Sequence, residues 1–553
     1  MEKQNTTNVI EQRVDDLISL YSGPSCTAAS LLCDVHPDND VAFCIVHEDF
    51  SRKEITFGEL RTRSEKLAQA LYTEGFRPGD RIATLMGKSQ AYLETILAIW
   101  RLGAVHVPLF TAFAGPAIEM RLTSSGTKVI FSDVGHLDKL KEIRASGKGG
   151  HWVIVTSEKV DDVGFCIEDL MIKGQAGFAP YIGSGDTTLI EIYTSGTTGA
   201  PKGVPVPVKA LAPFRAYAEF GLDLRPDDVF WNAADPGWAY GLYFGIFAVL
   251  TTGFSGVLYT GKFSPEATFR ILEQEKITNF TAAPTVYRSL RTYEGPTPSI
   301  RLRCASAAGE PLTPDINRWA SEALGVEVHD HFGQTEAGML VNNHHHPQLH
   351  EPLRPGSMGR PMPGWSAAIL DEKTLTPLGP DQPGLLAFDL PKSPMAWFED
   401  YVDAPEKTTE RLTPDGKWYL TGDIARVDED GMYYFSSRDD DVIIMAGYRI
   451  GPFEVESVLV THPAIVECVV IALPDELRGQ ILEAVVALAD GFLPSEELTQ
   501  ELQAKVKKEY AAHAYPRRIH YESWLPKTPS GKIQRFRLRQ ELMDRENKNG
   551  AQA

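Results

Sequence analysis

Cysteine is scarce and never closely spaced. The 553 residues hold six, Cys26, Cys33, Cys44, Cys166, Cys304 and Cys468, with no CxxC among them. That excludes a zinc-ribbon or disulfide framework and fits reduced, mostly buried thiols in a cytoplasmic protein. Cations are also short. Lys and Arg number 54 against 74 Asp and Glu, a net charge of −20, which leaves no basis for a nucleic-acid-binding surface. An anionic ligand must instead meet local cations in a cleft. Residues 238–261 carry no charge, yet Thr251-Thr-Gly-Phe-Ser-Gly256 breaks the run in its middle. A buried helix followed by a buried strand is expected there, and no membrane span. The N-terminus, Met1-Glu-Lys-Gln-Asn-Thr-Thr, lacks the apolar core of a signal peptide. Residues 1–20 are polar and are expected to form a loosely held arm. Internal repeats and low-complexity tracts are absent.

With 43% hydrophobic and 23% charged residues, the chain has the composition of an ordinary globular enzyme with large cores. Leu60, Leu67 and Leu71 recur at helical spacing within residues 56–71, a turn and strand follow at 79–85, and residues 92–102 form another amphipathic helix. Strand–helix alternation continues through residues 128–131 and 152–155. It predicts an α/β fold, with layered and largely parallel β-sheets and helices in a large N-terminal domain. After Ser436-Ser-Arg-Asp-Asp-Asp441 the texture changes to a helix at 454–460, strands at 465–473 and 484–488, and a helix at 498–509. Such an α+β unit has the size of a separate small domain. The predicted division is 1–439 and 440–553, with the hinge at Asp440.

Four segments carry chemistry. Tyr193-Thr-Ser-Gly-Thr-Thr-Gly-Ala-Pro-Lys202 follows a strand-like stretch and combines two glycines, hydroxyl residues and a lysine. Glycines let backbone N–H groups converge on an anion, hydroxyls add donors and lysine adds a mobile charge, which together make a phosphate cradle. It is no Walker loop, because the lysine follows a proline and no helix-starting Ser or Thr comes after it. In Asp330-His-Phe-Gly-Gln-Thr-Glu336, Gln334 and Thr335 are donors for phosphate or acyl oxygens, and Glu336 offers the hard oxygen that Mg²⁺ prefers. Trp418-Tyr-Leu-Thr-Gly-Asp423 places an acid after a strand and a glycine, suited to the vicinal diol of a ribose. Leu525-Pro-Lys-Thr-Pro-Ser-Gly-Lys532 presents Lys532 on a short turn.

These segments, in this order, resemble the core motifs of the adenylate-forming superfamily: acyl-CoA synthetases, luciferases and peptide-synthetase adenylation domains. The likeness extends over residues 187–540 and points, within the superfamily, to the acetyl-CoA synthetase-like and medium-chain acyl-CoA synthetases. It implies an ATP-dependent ligase that makes an acyl-adenylate from a carboxylic acid, releases pyrophosphate and passes the acyl group to CoA, with ATP, Mg²⁺ and coenzyme A as cofactors. By the resemblance, Thr194, Ser195, Gly196, Thr197, Thr198, Gly199 and Lys202 hold the β- and γ-phosphates. Gly309, Glu310 and Pro311 line the adenine site, and Asp330, His331, Phe332, Gln334 and Thr335 complete the nucleotide site. Glu336 takes Mg²⁺, Asp423 and Arg438 hold the ribose, and Lys532 sits against the α-phosphate and the carboxylate. Positive charge is needed because an anionic carboxylate must attack an anionic phosphate. The small domain is then expected to swing about Asp440 and bring in Ala446, Gly447 and Arg449. Gly447 would border the pantetheine tunnel, and Arg449 and Lys507 would meet CoA or nucleotide phosphates.

The implied acyl pocket comprises Trp238, Ala239, Tyr240, Ala308 and Gly333, bounded also by Phe332. Acetate-specific relatives carry tryptophan at the position of Gly333. Glycine there predicts a deeper cavity that acetate would leave unfilled. No Lys or Arg lies between Asp235 and Gly261, so a second carboxylate would go unpaired. The expected substrate is an apolar monocarboxylic acid, medium-chain, branched or aryl. The alternatives are an acetate or propionate ligase, a stand-alone enzyme loading a carrier-protein thiol, a luciferase-like oxidase and a silent nucleotide sensor. His344, His345, His346 and His350 are read as solvated or capping structure and not as a metal site. A lysine acetyltransferase or deacetylase acting on Lys532 is a further expected partner, since acetylation would remove the catalytic charge.

Overall fold

The structure, a computed structural model, describes residues 2–147, 152–160, 165–194, 201–295, 298–438, 441–445, 448–475, 479–511, 514–527 and 533–550. Two large sheets dominate. In the first, six strands lie in the order Val153–Thr156, Val129–Ser132, Arg81–Leu85, Val105–Pro108, Thr188–Thr194 and Lys202–Pro207. All neighbours are parallel except the last two, which form an antiparallel hairpin whose end pair is Thr194 opposite Lys202. The helices between them have ordinary causes. Phe57–Thr73 starts in a capping box, with Thr56 accepting from the Glu59 N–H and Glu59 accepting from the Thr56 N–H. Gln90–Leu102 ends on Gly103 at φ +77°, a left-handed cap that glycine adopts without a Cβ clash.

The second sheet has thirteen strands among the described residues. One half is a parallel block that includes Val41–Val46, Gly256–Tyr259, Phe230–Asn232, Asn279–Ala282, Cys304–Ala308 and Val328–Gln334. The other half is antiparallel: Gly338–Asn342, Ser357–Pro361, Tyr433–Arg438, Trp418–Val427, Gly384–Asp389 and Ala367–Leu370. Val328–Gln334 is the changeover, parallel to Cys304–Ala308 on one side and antiparallel to Gly338–Asn342 on the other. Loops at the carboxyl ends of parallel strands, at such a switch in topology, are where open α/β sheets bind ligands. Residues 87–88, 109–111, 233–238, 309–311 and 335–336 all follow such ends.

The uncharged segment folds as expected, with helical turns over residues 239–252 and then the buried strand Gly256–Tyr259. Among the described residues no helix is long and apolar enough to cross a membrane. All six cysteines are free and buried. The N-terminal arm differs from expectation. Glu2–Tyr21 is a 20-residue helix, and its Ile10, Val14, Leu17 and Tyr21 are buried in the main core. Their spacing of four, three and four residues puts them on one face, and Arg13 pairs with Glu219 at 2.7 Å.

A second core, separate from the first, begins at Ile443. Ile465–Asp475 pairs antiparallel with Gly479–Leu488, which runs parallel to Arg518–Tyr521. The helices Pro452–Leu459, Glu496–Glu509 and Arg535–Gly550 accompany them. This is the expected smaller α+β unit. The expected hinge, Asp440, lies outside the described residues.

Candidate functional site

Lys202 opens the return strand of the hairpin, opposite Thr194. The next residue stitches a distant segment beside it, since the Val402 N–H donates to the Gly203 carbonyl at 2.9 Å. Tyr401 is thereby set against Lys202, whose ammonium lies 4.8 Å from the centre of the Tyr401 ring. The Tyr401 hydroxyl donates to Glu336 Oε1 at 2.6 Å. One tyrosine thus connects the hairpin of the first sheet to the changeover strand of the second. Burial, and then the nearby Arg411 guanidinium, lower the Lys202 pKa, as expected for a cation held near another cation.

A hydrogen-bonded chain continues from there. Arg411 Nε donates to the Tyr401 oxygen at 3.2 Å, and Arg411 Nη1 donates to the Thr421 carbonyl at 2.7 Å. Gln334 Nε2 donates to the same carbonyl at 2.9 Å and to Asp423 Oδ2 at 2.8 Å, while the Tyr419 hydroxyl donates to Gln334 Oε1 at 2.8 Å. Asp423 faces Arg438 across the sheet, with its carboxylate 3.3 Å from Nη1. Asp423 was expected just after a strand. It lies inside Trp418–Val427, where Gly422 at φ +75° and a shift of register at Ile424/Ala425 aim the residue differently from its neighbours. Lys202, Glu336, Gln334, Asp423 and Arg438 are therefore brought together, with Thr194 at the hairpin end. The Thr335 carbonyl accepts from the Tyr243 hydroxyl at 3.2 Å.

Gly309 turns the chain after Cys304–Ala308 at φ +98°. Glu310 is held by Thr285 and by Arg288, the latter at 2.5 Å, and Pro311 leads into Leu312, whose N–H donates to Asp330 Oδ2 at 3.3 Å. Burial pushes the Asp330 carboxyl up to about 7. Phe332 is partly exposed, whereas His331 is buried and spends both ring nitrogens, on the Tyr217 hydroxyl at 2.8 Å and the Asn343 carbonyl at 3.0 Å.

The histidine loop is solvated in part, with His350 exposed and His346 half-buried and accepting from the Gln348 N–H at 3.3 Å. His344 is buried, and His345 stacks on His329 with ring centres 3.6 Å apart and planes 16° apart. His329, His331 and His345 do bring ligand atoms within 4.8 Å of one another. However, imidazole lone pairs lie in the ring plane, so two face-to-face rings direct them along parallel lines that never converge on one ion.

In the acyl region, Trp238 and Tyr240 meet edge to face at 5.6 Å, and Ala239 and Ala308 are buried. The vacancy expected beside Gly333 is filled. A Cβ there would overlap the Gly338 carbonyl oxygen and come within 2.8 Å of Met339 Sδ and 2.9 Å of Met339 Cα. Gly333 is required by the close approach of the paired strand, and Met339 occupies the adjoining space. The expectation that no cation serves this region also needs correction. Lys88, from the other sheet, donates to the Ala233 carbonyl at 3.2 Å near Asp235. Asp235 in turn caps the loop by accepting from the Gly237 N–H at 2.7 Å.

Lys507 rests 3.9 Å over the Tyr515 ring within the small unit, and none of its described contacts reaches the cleft. Arg449 lies on the strand Tyr448–Ile450. Residues 195–200, Ala446, Gly447 and Lys532 lie outside the described residues. Sequence reading missed Tyr401, Arg411, Tyr419, Lys88 and Met339. Tyr401, Arg411 and Lys88 belong to no motif and reach the site from far along the chain, whereas Tyr419 lies inside the Trp418–Asp423 segment and Met339 just beyond Glu336.

Comparison with known proteins places the chain in a family. Residues 33–392 match the family model for AMP-binding enzymes, and residues 454–532 match that for the AMP-binding enzyme C-terminal domain. An acetyl-coenzyme A synthetase of Bacillus subtilis is 36% identical over 505 residues, 89% of this chain and 86% of that protein. The mitochondrial acyl-coenzyme A synthetase ACSM3 of Mus musculus is 34% identical over 492 residues, 88% of this chain and 83% of that one. Among solved structures, an acyl-CoA synthetase of Brucella canis has a TM-score of 0.73 at 40% identity, covering 96% of this chain and 98% of its own. An anthranilate CoA ligase in complex with anthranoyl-AMP reaches 0.85 at 27% identity, covering 94% and 97%.

Proposed function

The chain belongs to the AMP-binding enzyme family and is an AMP-forming acid–CoA ligase using ATP, Mg²⁺ and CoA, and from that premise we propose that its acid is an apolar monocarboxylate of compact shape, branched or aryl. The observation that carries the site assignment is the convergence of Lys202, Glu336, Gln334 and Asp423 through Tyr401 and Arg411. In the first step a carboxylate oxygen bonds to the α-phosphorus and pyrophosphate leaves with the β- and γ-phosphates. In the second, the CoA sulfur bonds to the acyl carbon and AMP leaves. Lys202 offsets the phosphate charge, Asp423 and Arg438 orient the ribose, and Gly309, Glu310, Pro311 and Phe332 enclose the adenine. Lys532, on the small domain, supplies the second cation.

Glu336 suits the metal. One oxygen is tied to Tyr401, and the other has no hydrogen-bond partner among the described residues. A single carboxylate with phosphate oxygens in the remaining positions is how Mg²⁺ is commonly held. When bound, the ion neutralises phosphate charge as it develops.

The acid preference rests on Trp238, Tyr240, Phe332, Ala308 and Met339. Met339, crowding Gly333, sets the depth and favours compact acids over straight medium chains. The same crowding favours the second reading, acetate or propionate. Lys88 does not call for a dicarboxylate, because Asp235 and the Ala233 carbonyl already face it. A panel of acetate, propionate, isobutyrate, hexanoate and benzoate in acid-dependent pyrophosphate exchange, with and without CoA turnover, decides the matter. Isobutyrate or benzoate should exceed acetate in kcat/KM by about tenfold, since each buried CH₂ contributes roughly 0.8 kcal/mol. Met339→Ala should move the preference toward hexanoate. Acetate leading the panel would overturn the compact-acid reading, and adenylation without CoA turnover would point to a carrier-protein thiol. Six buried free thiols support a reducing, cytoplasmic location. Acetylation of Lys532 would silence the first step, and acetyl-Lys532 should then be found by mass spectrometry in the inactive fraction.

A further inference from the structure

We propose that Arg411 is a positioning residue which, through Tyr401, holds the Glu336 carboxylate in the orientation that receives the nucleotide-bound divalent cation. The inference rests on the reading of Glu336 given above and adds two residues to it.

Proton counting fixes the direction of the relay. A guanidinium can only donate, so the bond between Arg411 Nε and the Tyr401 oxygen leaves tyrosine's single proton for Glu336. The carboxylate therefore always accepts on Oε1, and its other oxygen is left for a cation. Were Arg411 absent, the hydroxyl could rotate and take its proton elsewhere, because nothing else among its described partners would enforce the donation.

The guanidinium is itself anchored at a second point. Nη1 donates to the Thr421 carbonyl, the same oxygen that accepts from Gln334, and Gln334 also donates to Asp423. One rigid fork thus spans from the acid assigned to the metal to the acid assigned to the ribose. The backbone makes room for it. A Cβ at Gly422, already at φ +75°, would stand 2.6 Å from Arg411 Nη1. Arg411 also lacks the partner of an ordinary salt bridge, since no carboxylate among the described residues lies within 4 Å of it. The planar fork meets the phenol oxygen and the carbonyl from two separate nitrogens in fixed geometry, whereas an ammonium offers one nitrogen on a flexible stem and holds neither direction.

The test measures binding directly. The affinity of the α,β-methylene analogue of ATP is determined by calorimetry, in Mg²⁺ and in EDTA, for the wild type and for Arg411→Ala, Arg411→Lys, Tyr401→Phe and the Arg411→Ala/Tyr401→Phe double variant. Groups that orient a metal's ligand are typically worth about 10- to 100-fold in metal affinity. Each single variant should lose about tenfold of the affinity seen in Mg²⁺ and keep its affinity in EDTA, and the double variant should be no worse than either alone. Arg411→Lys should behave like Arg411→Ala. Equal losses in EDTA would mean that Arg411 touches the phosphates itself, and would overturn the proposal. Additive losses in the double variant, or full rescue by lysine, would overturn it too. Tyr401→Phe keeps the ring and its packing, so the proposal stays testable should Arg411→Ala misfold. Acid-dependent pyrophosphate exchange by the wild type is scored separately: its absence sinks the ligase reading, while silent variants of an active wild type sink this inference alone.

Discussion

Four histidines and one aspartate lie on or beside the changeover strand Val328–Gln334, all buried except the partly buried His345. Burial lowers the pKa of His331 and His345 well below the usual 6.5 and brings His329 and His344 to about 4, while it raises Asp330 to about 7. In the folded protein the histidines stay neutral, and in the unfolded chain they take up protons below pH 6.5. Their contribution is thus lost as pH falls from 6.5 toward 4. Asp330 acts in the opposite sense, because the unfolded carboxyl ionises from about pH 4 upward while the folded one keeps its proton until about 7. Between pH 4 and 6.5 the unfolded state binds four more protons on the histidines and one fewer at Asp330, a net of three, so stability rises with pH there. The urea midpoint should therefore fall steeply on acidification from pH 6.5 to 5. Asp330→Asn should raise the midpoint at pH 8 and leave it unchanged at pH 4. A midpoint flat across this range would show that the nest is open to water. At this scale the acids and Lys202 were legible because each sits in a motif whose composition states its chemistry. Tyr401 and Arg411 were not, since each is a single residue in an aperiodic stretch, and its meaning lies in a contact with Glu336 or Thr421 that only folding creates. Gly333 misled for a related reason: glycine in a sequence marks a missing side chain but not which neighbour has moved into its place.

At the scale of elements, long periodic helices and buried strands could be read directly, and the uncharged stretch at 238–261 resolved correctly into helix and strand. The N-terminal helix could not, because its polar first turns outweighed the buried stripe at Ile10, Val14, Leu17 and Tyr21. That stripe packs beside Leu211–Ala216, and the pair from Arg13 to Glu219 fixes the helix's rotation. Leu17 is fully buried and Val9, two turns earlier, is 60% exposed. Leu17→Ala should cost about 2–5 kcal/mol, the usual range for emptying a buried leucine site, and should lower the first thermal transition. Val9→Ala should leave that transition in place. Equal and negligible effects would restore the picture of a loose arm. The hairpin is the element that matters for chemistry. Its first strand is legible as a β-rich flank, but the antiparallel return at Lys202 is not, because Pro201 and Pro205 obscure the alternation that marks a strand.

For the whole molecule, the feature with functional weight is that, of the five hydrophobic clusters among the described residues, one lies wholly in the C-terminal stretch. The main core and the small domain's core share no residue, and the large sheet ends at Arg438 only five positions before the second core begins at Ile443. A unit that buries its own apolar surface loses little when its contacts with a neighbour are exchanged, so it can reorient as a body about a short connection. In the sequence Lys532 and Gly447 both fall in that stretch, and on the roles proposed for them the two half-reactions make opposite demands: the first would need a cation at the α-phosphate, the second a backbone thin enough to border the pantetheine arm. If the unit serves them in turn, damage to one residue should be blind to the other step. Lys532→Ala should abolish acid-dependent pyrophosphate exchange and spare thioester formation from a supplied acyl-adenylate. Gly447→Leu should leave exchange intact and block transfer to CoA, if the role proposed for this glycine beside the pantetheine arm holds. The pair is measured in one preparation, by exchange with labelled pyrophosphate and by thioester release from synthetic acyl-AMP. Loss of both steps to the same extent in either variant would mean that the small domain acts from a single fixed position and that the two residues share one site.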